Sequence, residues 1–511
     1  MGPKRLCLAV GACAVVVYVG ALWNEFALDD NPVVRFNSLV LNASGLWRAF
    51  VSPYWPPELG GGMYRPLPLA SYALDWRLGW TAWFHAVNVL WHAGVSIAVA
   101  LLARRWAGDR GGAGLVAGLV FAVHPVHVEA VANLVGRAEL MAATFSVLAV
   151  YAALARDNLL WSVAALAAGL LSKENAAVVP ALIAWAWVLG LERPSRRRMT
   201  QYGASWLALA LVYGAVRWAV LRHESAFVNG APIFIGASPW EVRLTAVATF
   251  ADFARLLLLP IHLRVDYSPA ERTLVTTPLD GRFAVGLLCF AVWAGLLWVA
   301  WRRGRKVEAF GLGWIGLASL PVANLLYPAG VLVAERTLYL PSVGLALAVG
   351  AAIGTGEGEE ALEQRRLAWV LGLGLLLVAG GIRTAWRVPV WRDDRSVVRS
   401  ELVNSPRSYA GPAHMVVLFL NAHQPALALQ EFRRAISIYD RTLPWVYVTG
   451  AEAAIAAGLP FTADSLLARL ERMCTDCEHY YRYEAVAALA RGNTAAADTF
   501  AARVRRATSS P

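Results

Sequence analysis

Apolar stretches of close to twenty residues recur along most of this chain and constrain its fold more than any other feature. The first, LCLAVGACAVVVYVGALW at residues 6–23, follows the short basic start MGPKR. A helix needs about 20 apolar residues to cross a bilayer. The chain of 511 residues is also 58% hydrophobic and only 16% charged, unlike an ordinary soluble domain. The sequence therefore predicts an all-α, multi-pass membrane protein.

The hydrophobic pattern predicts about eleven spans, of which the third and fifth are short and need flanking residues to cross. They are residues 6–23, 82–103, 113–123, 138–155, 159–172, 176–191, 203–221, 283–301, 309–327, 338–353 and 367–385. No small-residue cleavage site follows the first span, so we interpret it as an uncleaved anchor. The segment 240–260 carries several charges, and we expect an amphipathic helix lying on the outer membrane face.

Lys and Arg are concentrated in alternate loops. Such residues mark the cytoplasmic side. The rich loops lie near 4–5, 104–110, 156, 193–198, 302–306 and 365–366. The N-terminus is therefore expected in the cytoplasm and, with an odd number of spans, the C-terminus outside it. Much of the net charge of +11 comes from Lys and Arg in these short loops, where it sets the membrane topology. We therefore expect no nucleic-acid partner.

The C-terminal part of the chain is richer in charge and lacks membrane-length stretches. We divide the chain into a membrane domain at 1–385, a connecting segment at 386–408 and a repeat domain at 409–511. Similar helical segments begin at Pro425, Pro460 and Asn493, close to the 34-residue period of tetratricopeptide helix pairs. We predict an extracytoplasmic α-solenoid of about three degenerate repeats, offering a surface to a peptide or protein.

The segment MCTDCEHYY places Cys474 and Cys477 in this outer domain, where an oxidising compartment favours a local disulfide. A metal site would need two more ligands, and only His479 is near. Cys7, Cys13 and Cys289 lie in predicted spans and fit apolar packing.

Two adjacent carboxylates, Asp29 and Asp30, follow the first span in the segment NEFALDDNPVVRFN. Such a pair is self-repelling and costly to desolvate, so it is usually kept for a cation or a proton. A solvated loop with helix-capping Asp is the alternative. The pair could hold a divalent cation such as Mg or Mn, although nothing in the sequence requires one.

Further polar residues gather in the loops expected on the same side. They are Arg65, His85, His124, His127, Glu129, Arg137, Glu139, Lys173, Glu174, Arg336 and Tyr339. Each could instead cap a helix or contact a lipid headgroup. Together they suit a phosphorylated lipid beside an activated hydroxyl, because cations hold a leaving phosphate and a carboxylate accepts the proton.

Six sequence strings carry a resemblance to a known family, and they occur in its order. They are FALDDNPVV, YRPLPLASYALDW, FHAVNVLWHA, FAVHPVHVEAVANLVGRAEL, LLSKENAAVVP and ERTLYLPSVGLAL. The chain resembles the transmembrane and tetratricopeptide-repeat-containing protein O-mannosyltransferases, which are C-type (GT-C) integral-membrane glycosyltransferases. Family members often have many well-formed repeats, and this chain has about three poor ones. Its Ala-, Arg-, Gly- and Trp-rich composition suggests a bacterial member in the plasma membrane; a eukaryotic one would lie in the endoplasmic reticulum.

The resemblance implies inverting transfer of a sugar, most simply mannose, from a polyprenyl-phosphate donor to Ser or Thr of an extracytoplasmic protein. It favours the first loop for the base without choosing between Asp29 and Asp30; we expect Asp29, with Asp30 orienting it or binding a cation. Arg65 and Arg336 are the expected phosphate ligands. His85, His124, His127, Glu129, Arg137, Glu139, Lys173, Glu174 and Tyr339 would complete the phosphate and sugar pocket.

Three alternatives remain open from the sequence. The enzyme could act on a lipid-linked glycan. The chain could instead be a transporter of a lipid-linked sugar, which predicts charges in mid-span and repeated spans. It could also be a non-catalytic membrane scaffold that presents its repeats.

Overall fold

The computed structural model describes residues 1–56, 62–107, 112–222, 231–354, 361–441, 443–474 and 477–509. All regular structure in these ranges is helical, which confirms the all-α prediction. The helices of the first part are α1 (Pro3–Tyr18), α2 (Ser38–Leu41), α3 (Gly45–Arg48), α4 (Pro66–Asp75), α5 (Thr81–Ala107), α6 (Ala113–Val123), α7 (Val128–Ala132), α8 (Arg137–Arg156), α9 (Leu159–Ser172), α10 (Val179–Leu189), α11 (Arg196–Leu221), α12 (Pro239–Ala248), α13 (Phe250–Leu258), α14 (Gly281–Arg302), α15 (Lys306–Ser319), α16 (Tyr339–Gly354) and α17 (Ala361–Arg387).

Seven helices among the described residues are long and apolar enough to cross a membrane, or eight if a bent pair counts as one span. The bent pair joins α6 to Pro125–Ala132 at an angle of 48°. The chain is therefore a multi-pass membrane protein, as predicted. The helices α9, α10 and α15 are shorter, and the exact number of spans stays a prediction.

The ninth predicted span, 309–327, differs from the structure. Helix α15 ends at Ser319, and a turn follows. Pro321 cannot continue the helical hydrogen bonds, and Asn324 adopts a left-handed backbone with φ 57°. The Asn324 side chain accepts from the Ala329 amide and donates to the carbonyls of Val331 and Leu332. The apolar residues after Ser319 thus form a loop held by an asparagine.

The bundle is held together by close helix packing. Helix α5 contacts α1, α6 and α8, while α15 and α16 pack along one another. The α15–α16 contact depends on small residues, since a Cβ on Gly311 would lie 2.4 Å from the Gly344 carbonyl oxygen. Small residues at helix crossings are typical of packing in membranes.

One end of the bundle, here called the loop face, carries the segments 24–56, 62–80, 124–136, 172–178, 231–280 and 320–338. Segment 240–260 forms two helices here, α12 and α13, and Ser238 with Glu241 makes a capping box at the start of α12. Leu256 and Leu257 pack with Val126 and Leu338. The segment therefore covers part of the loop face, while its relation to the membrane surface stays a prediction.

The last part of the described chain forms antiparallel helix pairs with their own apolar core, including Phe432, Tyr447, Leu467 and Phe500. Its helices are α18 (Asp394–Asn404), α19 (Ala410–Asn421), α20 (Pro425–Ile438), α21 (Pro444–Ala456), α22 (Pro460–Met473), α23 (Glu478–Ala490) and α24 (Thr494–Ser509). The repeat offset matches the starts of α20, α22 and α24 to within a residue. The tetratricopeptide character and the domain bounds stay predictions.

The connection between α18 and α19 fixes the helix pairs to the loop face. The Ser405 and Ser408 hydroxyls donate to the backbone carbonyl and the carboxylate of Asp266, at 2.7 and 2.6 Å. At the far side, the sulfur atoms of Cys474 and Cys477 lie within bonding distance. The disulfide in the oxidised protein stays a prediction.

Candidate functional site

Asp29 and Asp30 are adjacent in the chain but have different environments. Asp30 is 1% exposed and accepts three backbone hydrogen bonds, from Ala27 at 3.1 Å, Leu134 at 3.4 Å and Val135 at 2.9 Å. Burial raises the pKa of Asp30 to about 7, against the lowering effect of these amides, and the neighbouring Asp29 charge adds to the rise. Asp30 therefore joins the first loop to the start of α8 and is already engaged.

Asp29 is only half-buried, and its carboxylate takes no hydrogen bond or ion pair from the residues that the structure describes. It lies within electrostatic range of Arg336, Tyr54 and His414. An accessible carboxylate that is within electrostatic range of an arginine and free of structural partners can accept a proton from an incoming group. This arrangement suits Asp29, and not Asp30, to act as a general base.

The backbone before Asp29 is held in an uncommon conformation. Leu28 has φ 48°, in the left-handed region that costs a non-glycine residue roughly 1–2 kcal/mol. Its amide donates to Asp394 Oδ1 at 2.7 Å, and the Asn31 amide group donates to both Asp394 oxygens. The first residue of α18 thus fixes the loop that presents Asp29.

Arg336 has one occupied edge and one open edge. Its backbone amide and Nη1 donate to the two oxygens of Glu129, at 2.9 and 3.0 Å. Nε and Nη2 make no hydrogen bond to the described residues, and the side chain is 28% exposed. These two nitrogens form the guanidinium edge that binds two oxygens of a phosphate at once. Glu129 holds Arg336 in place for such contact.

Two further ion pairs extend the site along the loop face. Lys173 donates to Glu139, and both are buried. Arg65 donates to both Glu174 oxygens, at 3.0 and 3.3 Å. Arg65 and Lys173 lie within electrostatic range of each other and of Arg336. The structure therefore brings together Asp29, Glu129, Glu139, Lys173, Glu174, Arg65 and Arg336.

Four of the predicted site residues lie in the interior of the bundle instead. His85, His127 and Tyr339 are fully buried, and His124 is 8% exposed. His127 bonds to the Ser342 hydroxyl at 2.7 Å, and Tyr339 bonds to His92 at 2.8 Å. His124 contacts the Leu257 carbonyl at 2.9 Å, and His85 contacts the Glu25 carbonyl at 3.3 Å. These side chains make contacts inside the bundle and are not among the residues that the loop face brings together with Asp29, so their contact with a sugar or phosphate stays a prediction.

Arg137 also lies inside the bundle. It is fully buried and donates to Asn88, Ser71 and the Phe84 carbonyl, and it also pairs with Asp75. Its charge is compensated and all three guanidinium nitrogens are engaged. Arg137 therefore joins α4, α5 and α8, and no edge is open to a ligand.

Sequence reasoning missed two residues at this site. Asp394 lies at the start of α18, within the predicted connecting segment, and carries no local signal of its role. Arg217 lies inside the predicted span 203–221, where an isolated charge is itself a sign of function. Its Nη1 is buried without a hydrogen-bond partner, and it lies 3.9 Å from Glu174.

The described residues bring no group of three or more His, Cys, Asp or Glu side chains together as a metal site. Asp30 uses its oxygens on backbone amides. Asp29 alone of the pair keeps a free carboxylate.

The chain is similar to several curated protein O-mannosyl-transferases. It is 27% identical to TMTC4 of Homo sapiens over 469 residues, covering 78% of this chain and 62% of that protein. It is 25% identical to TMTC3 of Homo sapiens, covering 78% of this chain and 47% of the relative. It is 27% identical to Tmtc1 of Drosophila melanogaster, covering 78% and 57%. The resemblance drawn from the loop strings is confirmed.

The chain spans about half to three-fifths of the length of these relatives. No protein-family model matches it. Among solved structures, the arabinofuranosyltransferase AftD from mycobacteria is similar at a TM-score of 0.39 and 17% identity, covering 77% of this chain and 27% of that one. That likeness is too weak to bear on fold or function. A bacterial origin stays a prediction.

Proposed function

We propose that this protein is a membrane glycosyltransferase that moves mannose from a polyprenyl-phosphate donor to a Ser or Thr hydroxyl of a protein on the extracytoplasmic side. The observation that carries the proposal is that an unengaged Asp29 carboxylate lies within electrostatic range of Arg336, whose Nε–Nη2 edge is open. The names of the relatives support mannose and a protein acceptor. The charge pattern of the loops supports the sidedness.

The reaction is a single displacement with inversion. The acceptor oxygen attacks the anomeric carbon while the bond from that carbon to the phosphate oxygen breaks. The hydroxyl proton passes to Asp29, and the phosphate leaves with the bonding electron pair. Arg336 donates to the oxygens that gain charge, and the Lys173–Glu139 and Arg65–Glu174 ion pairs lie beside it. Asp30 and Asp394 hold the loop so that Asp29 reaches the acceptor.

A glycan-linked lipid acceptor would use the same base and phosphate site. The protein acceptor is preferred because the helix pairs begin next to the site, with Asp394 contacting Leu28. An extended protein surface so close to Asp29 suits a polypeptide. A transporter would also use the open edge of Arg336 to bind the lipid phosphate, but it would leave the unengaged Asp29 carboxylate without a role, and a scaffold would need neither group.

The test is transfer by the purified full-length protein. We expect mannose to move from polyprenyl-phosphate mannose to a Ser/Thr-rich protein substrate, with no transfer from a nucleotide-linked mannose. Asp29→Asn should slow this transfer. Asp498→Asn, the same substitution at an exposed carboxylate on α24, is the matched control and should keep the wild-type rate. Equal use of the nucleotide sugar, or transfer only to a lipid-linked glycan, would contradict the proposal.

A further inference from the structure

A cavity of about 540 Å³ lies at the end of the bundle opposite the loop face. Helix α8 starts at the loop face, and its 20 residues extend for roughly 30 Å to Arg156, which borders the cavity. The starts of α9 and α11 complete the wall. The Lys and Arg pattern of the loops predicts that this end faces the cytoplasm. The cavity is thus a bilayer thickness away from the loop face, where the headgroups of the inner leaflet are expected.

A tight turn joins α8 to α9 at the edge of this cavity. Asp157 has a left-handed backbone with φ 45°, and the Asn158 amide donates back to the Ala152 carbonyl at 2.9 Å. The Asn158 side chain in turn accepts from the Trp161 amide at 3.1 Å. The turn therefore places Arg156 directly before the first amides of α9. Such amides have no partner within their own helix, and a helix N-terminus attracts an anion.

Positive charge exceeds negative charge around the cavity. Arg198 Nε donates to Asp157 at 2.9 Å, so these two charges compensate each other within the wall. Arg156 is exposed and makes no ion pair with the residues that the structure describes. Arg196 and Arg197, both exposed, begin α11 directly before Arg198. An anion that enters the cavity therefore meets uncompensated arginine charge.

The other side of the cavity is apolar. Leu159, Leu160 and Val163 line it. The Leu160 and Trp161 side chains are 76% and 67% exposed. Tryptophan is enriched where a helix passes from the hydrocarbon core to the headgroups. Arginines beside exposed apolar side chains suit a molecule with an anionic head and acyl chains, because a soluble phosphate would leave the apolar side without contacts.

We propose that this cavity, called the inner-leaflet site, binds the headgroup of an anionic phospholipid from the cytoplasmic leaflet. Arg156 and the first amides of α9 contact the phosphate, while Leu160 and Trp161 meet the acyl chains. Basic pockets between helices on the cytoplasmic side commonly hold acidic headgroups. The site shares no residue with the loop face, so the inference is independent of the proposed reaction. The bound lipid joins the inner ends of α8, α9 and α11.

The first experiment measures lipid binding to the full-length protein by native mass spectrometry from detergent. Phosphatidylglycerol is compared with phosphatidylcholine of the same acyl chains, and glycerol phosphate represents a free phosphate. We expect phosphatidylglycerol to bind about fivefold more tightly than phosphatidylcholine, without competition from millimolar glycerol phosphate. Equal binding of the two lipids would overturn the proposal. Full competition by glycerol phosphate would also overturn it, because the site would then take soluble anions.

Arg156→Gln tests whether this one arginine defines the site. Arg302→Gln is the matched control, because Arg302 is exposed, ends α14 at the same end of the bundle and lies over an aromatic ring, as Arg156 does. We expect Arg156→Gln to weaken phosphatidylglycerol binding by about fivefold and Arg302→Gln by less than about twofold. Equal losses would indicate a general attraction of basic loops for anionic lipid and would contradict a defined site.

Two tryptophan variants test the cavity without changing its charge. Val163 lines the cavity, whereas the next residue, Ala164, is exposed. We expect Val163→Trp to fill part of the cavity and to remove the preference for phosphatidylglycerol over phosphatidylcholine, and Ala164→Trp to keep that preference. Thermal unfolding in lipid-free detergent checks that both variants fold, and if Val163→Trp does not fold, the Arg156→Gln comparison decides. A preserved preference in folded Val163→Trp protein would overturn the placement of the lipid.

Discussion

The Asp394 carboxylate accepts a hydrogen bond of 2.7 Å from the backbone amide of Leu28, which lies 366 residues earlier in the chain. Leu28 has a left-handed backbone and directly precedes Asp29, so this contact sets the direction in which the candidate base points. Asp394 is also the first residue of α18, where the C-terminal helix pairs begin. The geometry of the site and the position of the helix pairs are therefore linked through one carboxylate.

Replacing Asp394 should slow catalysis more than it weakens donor binding. Asp394→Ala removes a charged acceptor from Leu28 and Asn31, and such hydrogen bonds contribute about 1.5–3 kcal/mol. We expect a kcat reduced by tenfold or more, because small displacements of a catalytic group are costly. The donor KM should change by less than about threefold. The measurement is steady-state transfer at varied donor concentration.

Asp393→Ala is the matched control for that change. Asp393 accepts the Ser396 amide at the start of α18 and has no hydrogen bond to the first loop. Its loss should lower thermal stability slightly and leave kcat near wild type. An equal loss of kcat in both variants would mean that Asp394 acts only by stabilising α18.

The raised pKa of Asp30 predicts a pH-dependent stability. An aspartate titrates near 3.9 when unfolded, and burial raises the folded pKa of Asp30 to about 7. The folded state therefore binds the extra proton between these values. Its contribution to stability is fully present below about pH 4 and is lost as the pH rises through about 7.

Asp30→Asn removes this titration. The thermal unfolding midpoint of the wild type should fall more steeply between pH 5 and pH 8 than that of the variant. Scanning calorimetry or fluorescence melting in detergent would measure both slopes. Identical slopes would contradict the buried, proton-binding environment assigned to Asp30.

Arg336 should govern the affinity for the phosphate of the donor. Arg336→Lys keeps the charge but loses the edge formed by Nε and Nη2, so the affinity for polyprenyl phosphate should fall by about tenfold. Glu129→Gln should weaken binding less, because it only loosens the support of Arg336. Binding is measured by titration with the lipid phosphate alone. Arg282→Lys, on an exposed arginine paired with Asp280, serves as control and should bind normally.

The sidedness of the membrane domain can be tested with introduced cysteines. Ser44 is exposed on the loop face, and Ser195 is exposed before α11. A membrane-impermeant maleimide should label Ser44→Cys in intact cells, and Ser195→Cys only after permeabilisation. Labelling in the reverse order would place Asp29 on the cytoplasmic side and exclude the proposed acceptor.

The sequence predicts those parts of the molecule that depend on local composition. Seven of the eleven predicted apolar stretches coincide with described helices that are long and apolar enough to cross a membrane, and the repeat offset predicted the starts of α20, α22 and α24 to within a residue. The ninth span was extended too far, because hydropathy does not register the turn at Pro321 and Asn324. Lengths of apolar sequence predict helices well only where no proline or left-handed residue interrupts them.

The sequence predicted some residues of the candidate site better than others. Charged residues in the loops do come together, because the loops share one end of the bundle. The histidines and Arg137 were assigned to the pocket because their segments lie on the same side as Asp29, yet their side chains bond in the interior, His127 to Ser342 and Arg137 to Asn88. Asp394 could not be found from the sequence, since its partner Leu28 is a backbone group far along the chain.

The most direct measurement of the central claim compares Asp29→Asn with the wild type in transfer and in donor binding. Asn has nearly the same size but accepts no proton, so turnover should fall by about a hundredfold or more. The affinity for polyprenyl phosphate should stay within about twofold, because Asp29 meets the acceptor and not the lipid. Transfer by Asp29→Asn at the wild-type rate, in protein that binds the donor normally, would show that Asp29 is not the base.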